Sequence, residues 1–170
     1  IEDMQFDWIR LIVRRDERGL SSAVIHGLKE ATTEVCVVMD ADGSHPVSTI
    51  PAMVQAVTDG ADFAVGSRYV TGGTTEDDWG FLRWLNSKIA TIMARPFTKV
   101  LDPMSGFLAF RKSTFEKAEE LNPVGYKIGL ELIVKCRCTN VAEVPIHFST
   151  RQLGESKLTL GVQLEYLQNI

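Results

Sequence analysis

Long hydrophobic runs are what this sequence of 170 residues most clearly lacks. No stretch approaches the roughly 20 consecutive apolar residues of a membrane span, and no signal peptide is visible. The three cysteines are odd in number, and the C-x-C spacing of Cys136 and Cys138 is not a zinc spacing, so a reduced, intracellular setting fits best. The formal net charge of −4 gives no reason to expect a nucleic acid as partner. The remaining composition is that of an ordinary globular domain.

Two familiar catalytic signatures are missing as well. The sequence has no Gly-rich phosphate loop of either common type and no apparent Ser/His/Asp or Cys/His set. What it has is a short apolar run, residues 35–39, that ends in Asp40 and Asp42. An unbroken apolar run is typical of a buried parallel strand, and open α/β sheets bind ligands where such strands end.

Asp40 and Asp42 are separated by one residue, so their side chains point the same way along an extended chain. Two like charges side by side are unfavourable unless a cation lies between them. Divalent magnesium often binds one or two carboxylates together with substrate phosphates. The pair therefore predicts a metal site for a phosphate-bearing ligand. His45 is close to the pair in the sequence and could line this site. The alternative is a strand end with an Asx turn at Asp42-Gly43.

The pattern of apolar residues predicts the order β-α-β-α-β in the first part of the chain, which favours parallel strands with right-handed crossovers. The predicted strands cover residues 8–13, 35–39 and 62–66, and the helices cover 20–31 and 50–57. A helix is predicted over 81–94, with Leu82, Leu85, Ile89 and Ile92 or Met93 facing inward. Further strands are predicted at 107–111 and 141–148, and further helices at 113–121, 129–136 and 159–170.

Polar residues follow several of these elements. Arg68 comes after the strand at 62–66, on the sheet edge that carries the aspartates, and its fork of donors suits a phosphate; an ion pair with a nearby acid is the alternative. Asp102 lies in a Pro/Gly turn with Ser105, where it either acts on a reacting group or caps the turn. Arg151 and Lys157 flank a polar, Gly-containing loop that fits a lid over a diphosphate or an ordinary solvated loop.

The start of the helix at 81–94 combines aromatic residues with a cation. Arg83 and Ser87 are four residues apart, so they share a helix face and are spaced to clamp one anionic headgroup. Trp79, Phe81 and Trp84 would then rest in a membrane interface, the alternative being that they are core residues.

In order and spacing, these segments resemble the polyprenol-phosphate sugar synthases, the dolichol-phosphate mannosyltransferase group of the family 2 glycosyltransferases. The resemblance runs from about residue 14 to residue 158, and the joint order of its motifs carries it. The motifs are Arg18-Gly19-Leu20-Ser21, Val38-Met39-Asp40-Ala41-Asp42 with His45-Pro46, Gly66-Ser67-Arg68-Tyr69, Arg83 with Ser87, Asp102 with Ser105-Gly106-Phe107, Gly125-Tyr126-Lys127 with Glu131, Glu143-Val144-Pro145-Ile146 with Phe148, and Arg151 with Gly154-Glu155-Ser156-Lys157-Leu158.

The resemblance implies an α/β fold of the GT-A (Rossmann-like) type, with a mostly parallel sheet flanked by helices. It implies an inverting transfer of a sugar, in the first place mannose from GDP-mannose, to a polyprenyl or dolichyl monophosphate, with Mg²⁺ or Mn²⁺ as cofactor. It implies these roles: Asp40, Asp42 and Asp102 as catalytic residues; Asp40, Asp42 and Ser44 at the metal; Arg68, Arg83 and Ser87 at the acceptor phosphate; Arg151 and Lys157 at the donor diphosphate; Ser105 and Glu131 orienting the sugar.

The family's opening strand and its nucleotide-binding loops have no counterpart in this sequence. We therefore expect residues 1–170 to form a single catalytic domain that lacks its N-terminal strand or strands. The nucleotide-sugar donor and lipid acceptor that the resemblance implies would place the domain at the cytoplasmic face of a membrane, as a peripheral protein, and a full-length form could carry membrane helices.

The sequence leaves three alternatives open. UDP-glucose or another nucleotide sugar could replace GDP-mannose as donor. The string Asp40-Ala41-Asp42-Gly43-Ser44 also matches the haloacid-dehalogenase-type phosphatases, in which Asp40 would be the nucleophile, although the acidic loop that these enzymes need downstream is not found. The last alternative is a non-catalytic fragment that keeps a lipid- or partner-binding surface.

Overall fold

The computed structural model describes residues 6–76, 81–121 and 128–149; at 81–84 and 86 it describes the backbone alone. In this part of the chain the helices are α1 (Leu20–Glu30), α2 (Ile50–Thr58), α3 (Phe81–Ala94), α4 (Lys112–Phe115) and α5 (Ile128–Lys135). The strands are β1 (Val35–Val38), β2 (Phe63–Ser67), β3 (Thr74–Thr75), β4 (Leu108–Arg111), β5 (Val141–Pro145) and β6 (His147–Phe148).

A four-stranded sheet in the order β1-β4-β2-β5 forms the centre of the molecule. β2 and β5 pair in parallel, whereas β4 runs antiparallel between β1 and β2. β1 and β2 therefore run in the same direction, and the residues that follow them, Asp40 and Arg68, emerge at the same end of the sheet. The predicted α/β sheet is present and three of its four strands run in the same direction, but it is mixed, because both pairs that β4 makes are antiparallel; the direction of β4 could not be read from its apolar pattern.

Apolar side chains fill both faces of this sheet. On one face, α1 and α5 cover a cluster in which the rings of Phe63 and Phe110 stack at 4.7 Å between β2 and β4. On the other face, α2 packs Met53 and Val57 against Ala64 of β2. Neighbouring residues of β2 thus enter opposite clusters, as the alternation of a strand requires. Full burial of one such phenylalanine contributes roughly 1.5–3 kcal/mol.

The strand predicted over residues 8–13 is wrong. This segment is irregular, and Trp8 and Val13 remain 79% and 64% exposed. A strand is stabilised by hydrogen bonds and side-chain pairs with a neighbouring strand. No strand among the described residues pairs with this segment, so its apolar pattern has no partner to order it.

The α3 helix occurs where it was predicted, but the inward face assigned to it is only partly buried, since Leu85 and Met93 are half-buried and Ile89 is exposed. Ile89 and Ile92 are 47% and 67% exposed, whereas Thr91 and Ala94 are buried. Small side chains allow a helix to approach its neighbours closely, and the apolar spacing alone could not choose between the two stripes. Across the described residues, we find no helix with the length and apolarity needed to cross a membrane.

Two other predicted elements differ in extent. The helix predicted at 113–121 is only the short α4, which ends at Phe115. The strand predicted at 141–148 divides into β5 and β6, and its alternation is confirmed because Val144, Ile146 and Phe148 join the same apolar cluster. The helix predicted at 159–170 lies outside the described residues.

Asp62 connects the starts of β2 and β5, and we expect its loss to destabilise the fold. Its Oδ2 accepts the backbone N–H groups of Thr139 and Asn140 at 3.0 and 2.9 Å. These bonds lower the pKa of the Asp62 carboxyl. Replacing Asp62 with alanine removes both, at a cost of about 1–2 kcal/mol in the free energy of unfolding at neutral pH.

The pH dependence of this effect has a definite sign. A carboxyl with a lowered pKa in the folded state stabilises the fold above its ordinary pKa, and the contribution is lost as the pH falls through the folded value. Urea unfolding of wild type and Asp62→Ala should therefore differ most above about pH 5 and converge toward strongly acid pH. The exposed Asp16 supplies the control variant, Asp16→Ala. An equal difference at every pH would contradict the assignment.

Candidate active site

The loop after β1 carries the two aspartates in a compact turn. Asp42 Oδ1 accepts the backbone N–H of Ser44 at 3.0 Å and the hydroxyl of Ser44 at 2.5 Å. Gly43 between them has a φ of 80°, a left-handed conformation that glycine adopts without a steric cost. The Asx-type turn considered from the sequence is therefore present, and it orders the Asp42 carboxylate. Ser44 is buried beside it and donates its hydroxyl proton to Asp42.

His45 fixes the other aspartate of the loop. Its Nδ1 accepts the backbone N–H of Asp40 at 3.0 Å, so the proton of the neutral ring is on Nε2. The imidazole stacks on Phe107 at 5.0 Å and meets Phe148 edge-on at 5.4 Å. Burial lowers the pKa of His45. A neutral, buried histidine thus holds the backbone of the aspartate loop against the sheet.

Arg68 and Asp102 form a buried ion pair at the end of β2. The guanidinium donates from Nε to Oδ2 and from Nη2 to Oδ1, both at 2.7 Å, and the backbone N–H of Arg68 also donates to Oδ2. The side chains are 9% and 0% exposed. Two parallel bonds of this kind give a charged pair a defined orientation. The ion-pair alternative considered for Arg68 is therefore realised, with a buried rather than a surface partner.

The turn at residues 102–106 is held by two further groups. Glu143 of β5 accepts the backbone N–H groups of Leu101 and Asp102 at 2.8 and 3.1 Å. Ser105 donates its hydroxyl to the carbonyl oxygen of Gly66 at 2.7 Å. A methyl group on Gly66 would come within 2.8 Å of Phe107, so only glycine allows this approach. The role of Glu143 was missed from the sequence; an acid inside an alternating strand was the available signal.

The aspartate loop and this turn meet in space. A Cβ at Gly106 would lie 3.7 Å from Asp40 Oδ2 and also 3.7 Å from Cε1 of His45. His45 meets the Phe148 ring edge-on, and the guanidinium of Arg68 lies 5.3 Å from the centre of the same ring. The aspartate loop, Arg68 and the turn at 102–106 thus meet beside one histidine.

A hydroxyl and a cation of α3 adjoin this group through Tyr69. The Tyr69 hydroxyl donates to Ser87 Oγ at 2.7 Å, and Lys88 Nζ lies 3.9 Å from the centre of the Tyr69 ring. The guanidinium of Arg68 lies 5.3 Å from the ring centres of both Tyr69 and Phe148. Ser87 therefore lies in the same neighbourhood as Arg68, one phenol ring away.

The remaining predicted site residues are less fully described. Arg83 lies on α3 one turn before Ser87, but its side chain is outside the described atoms. Arg151 and Lys157 lie outside the described residues. Glu131 belongs to the first turn of α5. That helix approaches the turn at 102–106 closely, because a Cβ at Gly129 would lie 3.1 Å from the carbonyl oxygen of Ser105.

The donor atoms present suit a divalent cation bound together with a ligand. In the described part of the chain, no group of three or more histidine, cysteine or acidic side chains forms a metal cluster of its own. Magnesium often needs only one or two carboxylates when substrate phosphates supply the other oxygens. The ordered Asp42 carboxylate and the Asp40 carboxylate beside Gly106 fit that arrangement.

Comparison with known proteins agrees with this geometry. The profile of the family described as "Glycosyl transferase family 2" matches residues 1–118. The chain belongs to this family. The dolichol-phosphate mannosyltransferases of Pyrococcus furiosus and Mycosarcoma maydis are 47% and 43% identical to it over 95% of its length, and the matches cover 47% and 56% of those proteins. The chain thus spans about half the length of these curated relatives.

A solved structure shows the fold of this family 2 glycosyl transferase. Glucosyl-3-phosphoglycerate synthase from Mycobacterium tuberculosis, in complex with Mn²⁺, UDP-glucose and glycerol 3-phosphate, matches with a TM-score of 0.60 and 19% identity. The match covers 91% of this chain and 56% of that chain. The predicted GT-A fold is confirmed, and the alternative of a haloacid-dehalogenase-type phosphatase is wrong.

Proposed function

We propose that this chain carries catalytic residues for transfer of a sugar from a nucleotide diphosphate sugar to a polyprenyl monophosphate. The observation that carries the proposal is the meeting of the Asp40–Asp42 loop with the Arg68–Asp102 pair, since His45 and Arg68 both contact the Phe148 ring, with Ser87 one phenol ring away. The relatives named dolichol-phosphate mannosyltransferase, and the polyprenol monophosphomannose synthase of Mycolicibacterium smegmatis at 35% identity, support this substrate class. Mannose from GDP-mannose is the donor that we favour.

Asp40 and Asp42 are the residues that would hold Mg²⁺ or Mn²⁺, with Ser44 as a further oxygen beside them. Such an ion supplies positive charge at the donor diphosphate. The related synthase from Mycobacterium tuberculosis was solved with Mn²⁺ and UDP-glucose, which supports a divalent metal of this kind. The contribution of the chain itself is to orient the two carboxylates: Ser44 holds Asp42, and His45 holds the backbone of Asp40.

Arg68, Arg83 and Ser87 are proposed to bind the acceptor phosphate. A phosphate oxygen is already anionic at neutral pH, so it can attack the anomeric carbon without a strong general base. The bond from that carbon to the diphosphate breaks, and the electron pair leaves with the nucleoside diphosphate. Attack from the opposite side inverts the configuration of the sugar. The residues lower the barrier mainly by positioning and by neutralising charge.

Three further roles complete the proposal. Asp102 orients Arg68, which it holds through two side-chain bonds, and is the third acid of the site. Ser105 and Glu131 border the proposed sugar position from the turn at 102–106 and from α5. Arg151 and Lys157 close over the donor diphosphate. A lipid acceptor requires the site to act at a membrane surface, which we place on the cytoplasmic face.

The direct test is an assay of label transfer by the natural polypeptide. We expect radiolabelled GDP-mannose to yield labelled polyprenyl phosphate with Mg²⁺ or Mn²⁺ present, and no product in excess chelator, because the leaving diphosphate then lacks its counter-charge. A polyprenol without phosphate is the matched control and should give no product. Undiminished transfer in chelator would contradict the metal assignment. Transfer from UDP-glucose but not from GDP-mannose would assign the other sugar.

A further inference from the structure

Tyr69 connects two parts of the chain that are proposed to bind the acceptor phosphate. It follows Arg68 at the end of β2, and its backbone N–H donates to the hydroxyl oxygen of the buried Ser67 at 3.4 Å. Its side chain reaches α3, where the phenol hydroxyl donates to Ser87 Oγ at 2.7 Å. The same residue therefore adjoins Arg68 through the chain and holds Ser87 through its side chain.

The direction of the bond between the two hydroxyls decides what Ser87 offers to a ligand. A serine hydroxyl has one proton and two acceptor lone pairs. Because Tyr69 donates its only hydroxyl proton to Ser87 Oγ, the proton of Ser87 is directed to a different acceptor. Hydrogen bonds in a chain strengthen one another, so a phosphate oxygen that accepts the Ser87 proton is bound more strongly while Tyr69 donates behind it.

The surroundings of Tyr69 keep its hydroxyl protonated and its ring in place. Burial raises the pKa of the Tyr69 phenol, so at neutral pH the hydroxyl retains the proton that it donates. Lys88 Nζ lies 3.9 Å from the centre of the ring, and the guanidinium carbon of Arg68 lies 5.3 Å from it. At both distances a cation is attracted to an aromatic ring. These contacts favour the ring position from which the hydroxyl reaches Ser87.

We propose that Tyr69 is a positioning residue that orients the hydroxyl of Ser87 as a donor to the acceptor phosphate. Tyr69 acts through Ser87 and not by touching the phosphate itself. This inference adds a residue to the proposed acceptor site and rests on the proposed function for the identity of the anion. Loss of the phenol hydroxyl should therefore weaken the use of the acceptor and leave the use of the nucleotide sugar unchanged.

The variant Tyr69→Phe removes the hydroxyl and keeps the ring that Lys88 and Arg68 contact. In the natural polypeptide we expect kcat/KM for the polyprenyl phosphate to fall about tenfold, mainly through a higher KM for this acceptor, because the hydrogen bond to the anion loses its support. The KM for the nucleotide sugar should stay the same. A merely structural defect would instead lower the fraction of active enzyme, which reduces kcat and leaves both KM values unchanged.

A double-mutant cycle shows whether Tyr69 acts through Ser87. We expect Ser87→Ala to lower kcat/KM for the acceptor about thirtyfold, and Tyr69→Phe to have no further effect in that background, because the hydroxyl that it orients is gone. The control Thr91→Val removes a hydroxyl that donates to the backbone carbonyl of Ser87 at 2.9 Å, and it should leave the acceptor KM unchanged. Equal effects of Tyr69→Phe with and without the Ser87 hydroxyl, or no effect in either background, would overturn the proposal.

Binding of farnesyl phosphate, measured by isothermal titration calorimetry without a sugar donor, separates this inference from the proposed function. We expect Tyr69→Phe to raise the Kd of the natural polypeptide about tenfold, and the double variant to bind as Ser87→Ala does. Sugar transfer by the wild type with no change of Kd in Tyr69→Phe would overturn the positioning role and leave the function standing. The expected changes of Kd without any sugar transfer by the wild type would overturn the function and support the positioning role. No binding by the wild type would overturn both.

Discussion

Replacing Asp42 with asparagine or alanine is expected to reduce sugar transfer by roughly three orders of magnitude in the natural polypeptide. A metal ion that stabilises a leaving group contributes several kcal/mol to the barrier, and each 1.4 kcal/mol changes the rate about tenfold. Asparagine keeps an oxygen for the backbone N–H of Ser44, which Asp42 binds at 3.0 Å. Asp42→Asn therefore removes the charge with little change in the loop, whereas Asp42→Ala removes both.

The comparison of these two variants tests charge against loop geometry. We expect both to lose activity to a similar extent, because the carboxylate charge is what binds the metal ion that neutralises the leaving diphosphate. Only Asp42→Ala should also lower the thermal midpoint, since Ser44 then loses its acceptor. Asp59→Ala, at the exposed end of α2, is the control and should act as the wild type does. Turnover near the wild-type rate in Asp42→Asn would contradict the metal site.

The largest effect on stability is expected at the Arg68–Asp102 pair. Both side chains are almost completely buried, and two side-chain bonds of 2.7 Å join them. Removing one partner of a buried pair leaves the other charge uncompensated, at a cost of about 3–5 kcal/mol. For a domain of this size, each kcal/mol lowers the thermal midpoint by about 2–4 °C. We expect Arg68→Met and Asp102→Asn each to show losses in this range.

The double variant should be less destabilised than the sum of the two single variants. When both charges are removed, no buried charge remains without a partner, so the costs are not additive. A double-mutant cycle by urea unfolding measures the difference directly. The surface pair of Arg137 and Glu119, whose side chains are 80% and 75% exposed, is the control and should contribute little. Additive costs at Arg68 and Asp102 would show that the pair is not a coupled unit.

Arg68 has to combine two roles, an ion pair with Asp102 and the proposed contact with the acceptor phosphate. The sequence offered phosphate binding and ion pairing as alternatives, and the structure shows the ion pair. The proposed phosphate role then requires that the guanidinium bind an anion while Asp102 holds it. A fork with five N–H donors can do both. The Tyr69 and Phe148 rings beside the guanidinium keep it in place.

Local patterns were enough for most of the fold. The helix predicted at 20–31 is α1, and the run at 35–39 that ends in Asp40 and Asp42 is β1 with its loop. Both depend on spacing between residues that are near in the chain, and such spacing reflects which face is buried. The prediction of a strand at 8–13 was wrong because a strand also depends on pairing with a neighbouring strand, which the spacing along the chain does not show.

Patterns along the chain were sufficient for most of the helices and strands, for the acid pair at a strand end and for the order of motifs that indicates the family. The tertiary structure alone decided which of these residues meet. Asp102 lies 34 residues from Arg68, and Glu143 holds the backbone N–H of Asp102 across 41 residues. Which stripe of α3 faces outward likewise depends on what the helix packs against. Contacts of this range arise from how the strands are ordered in the sheet, and no periodicity along the chain records that order.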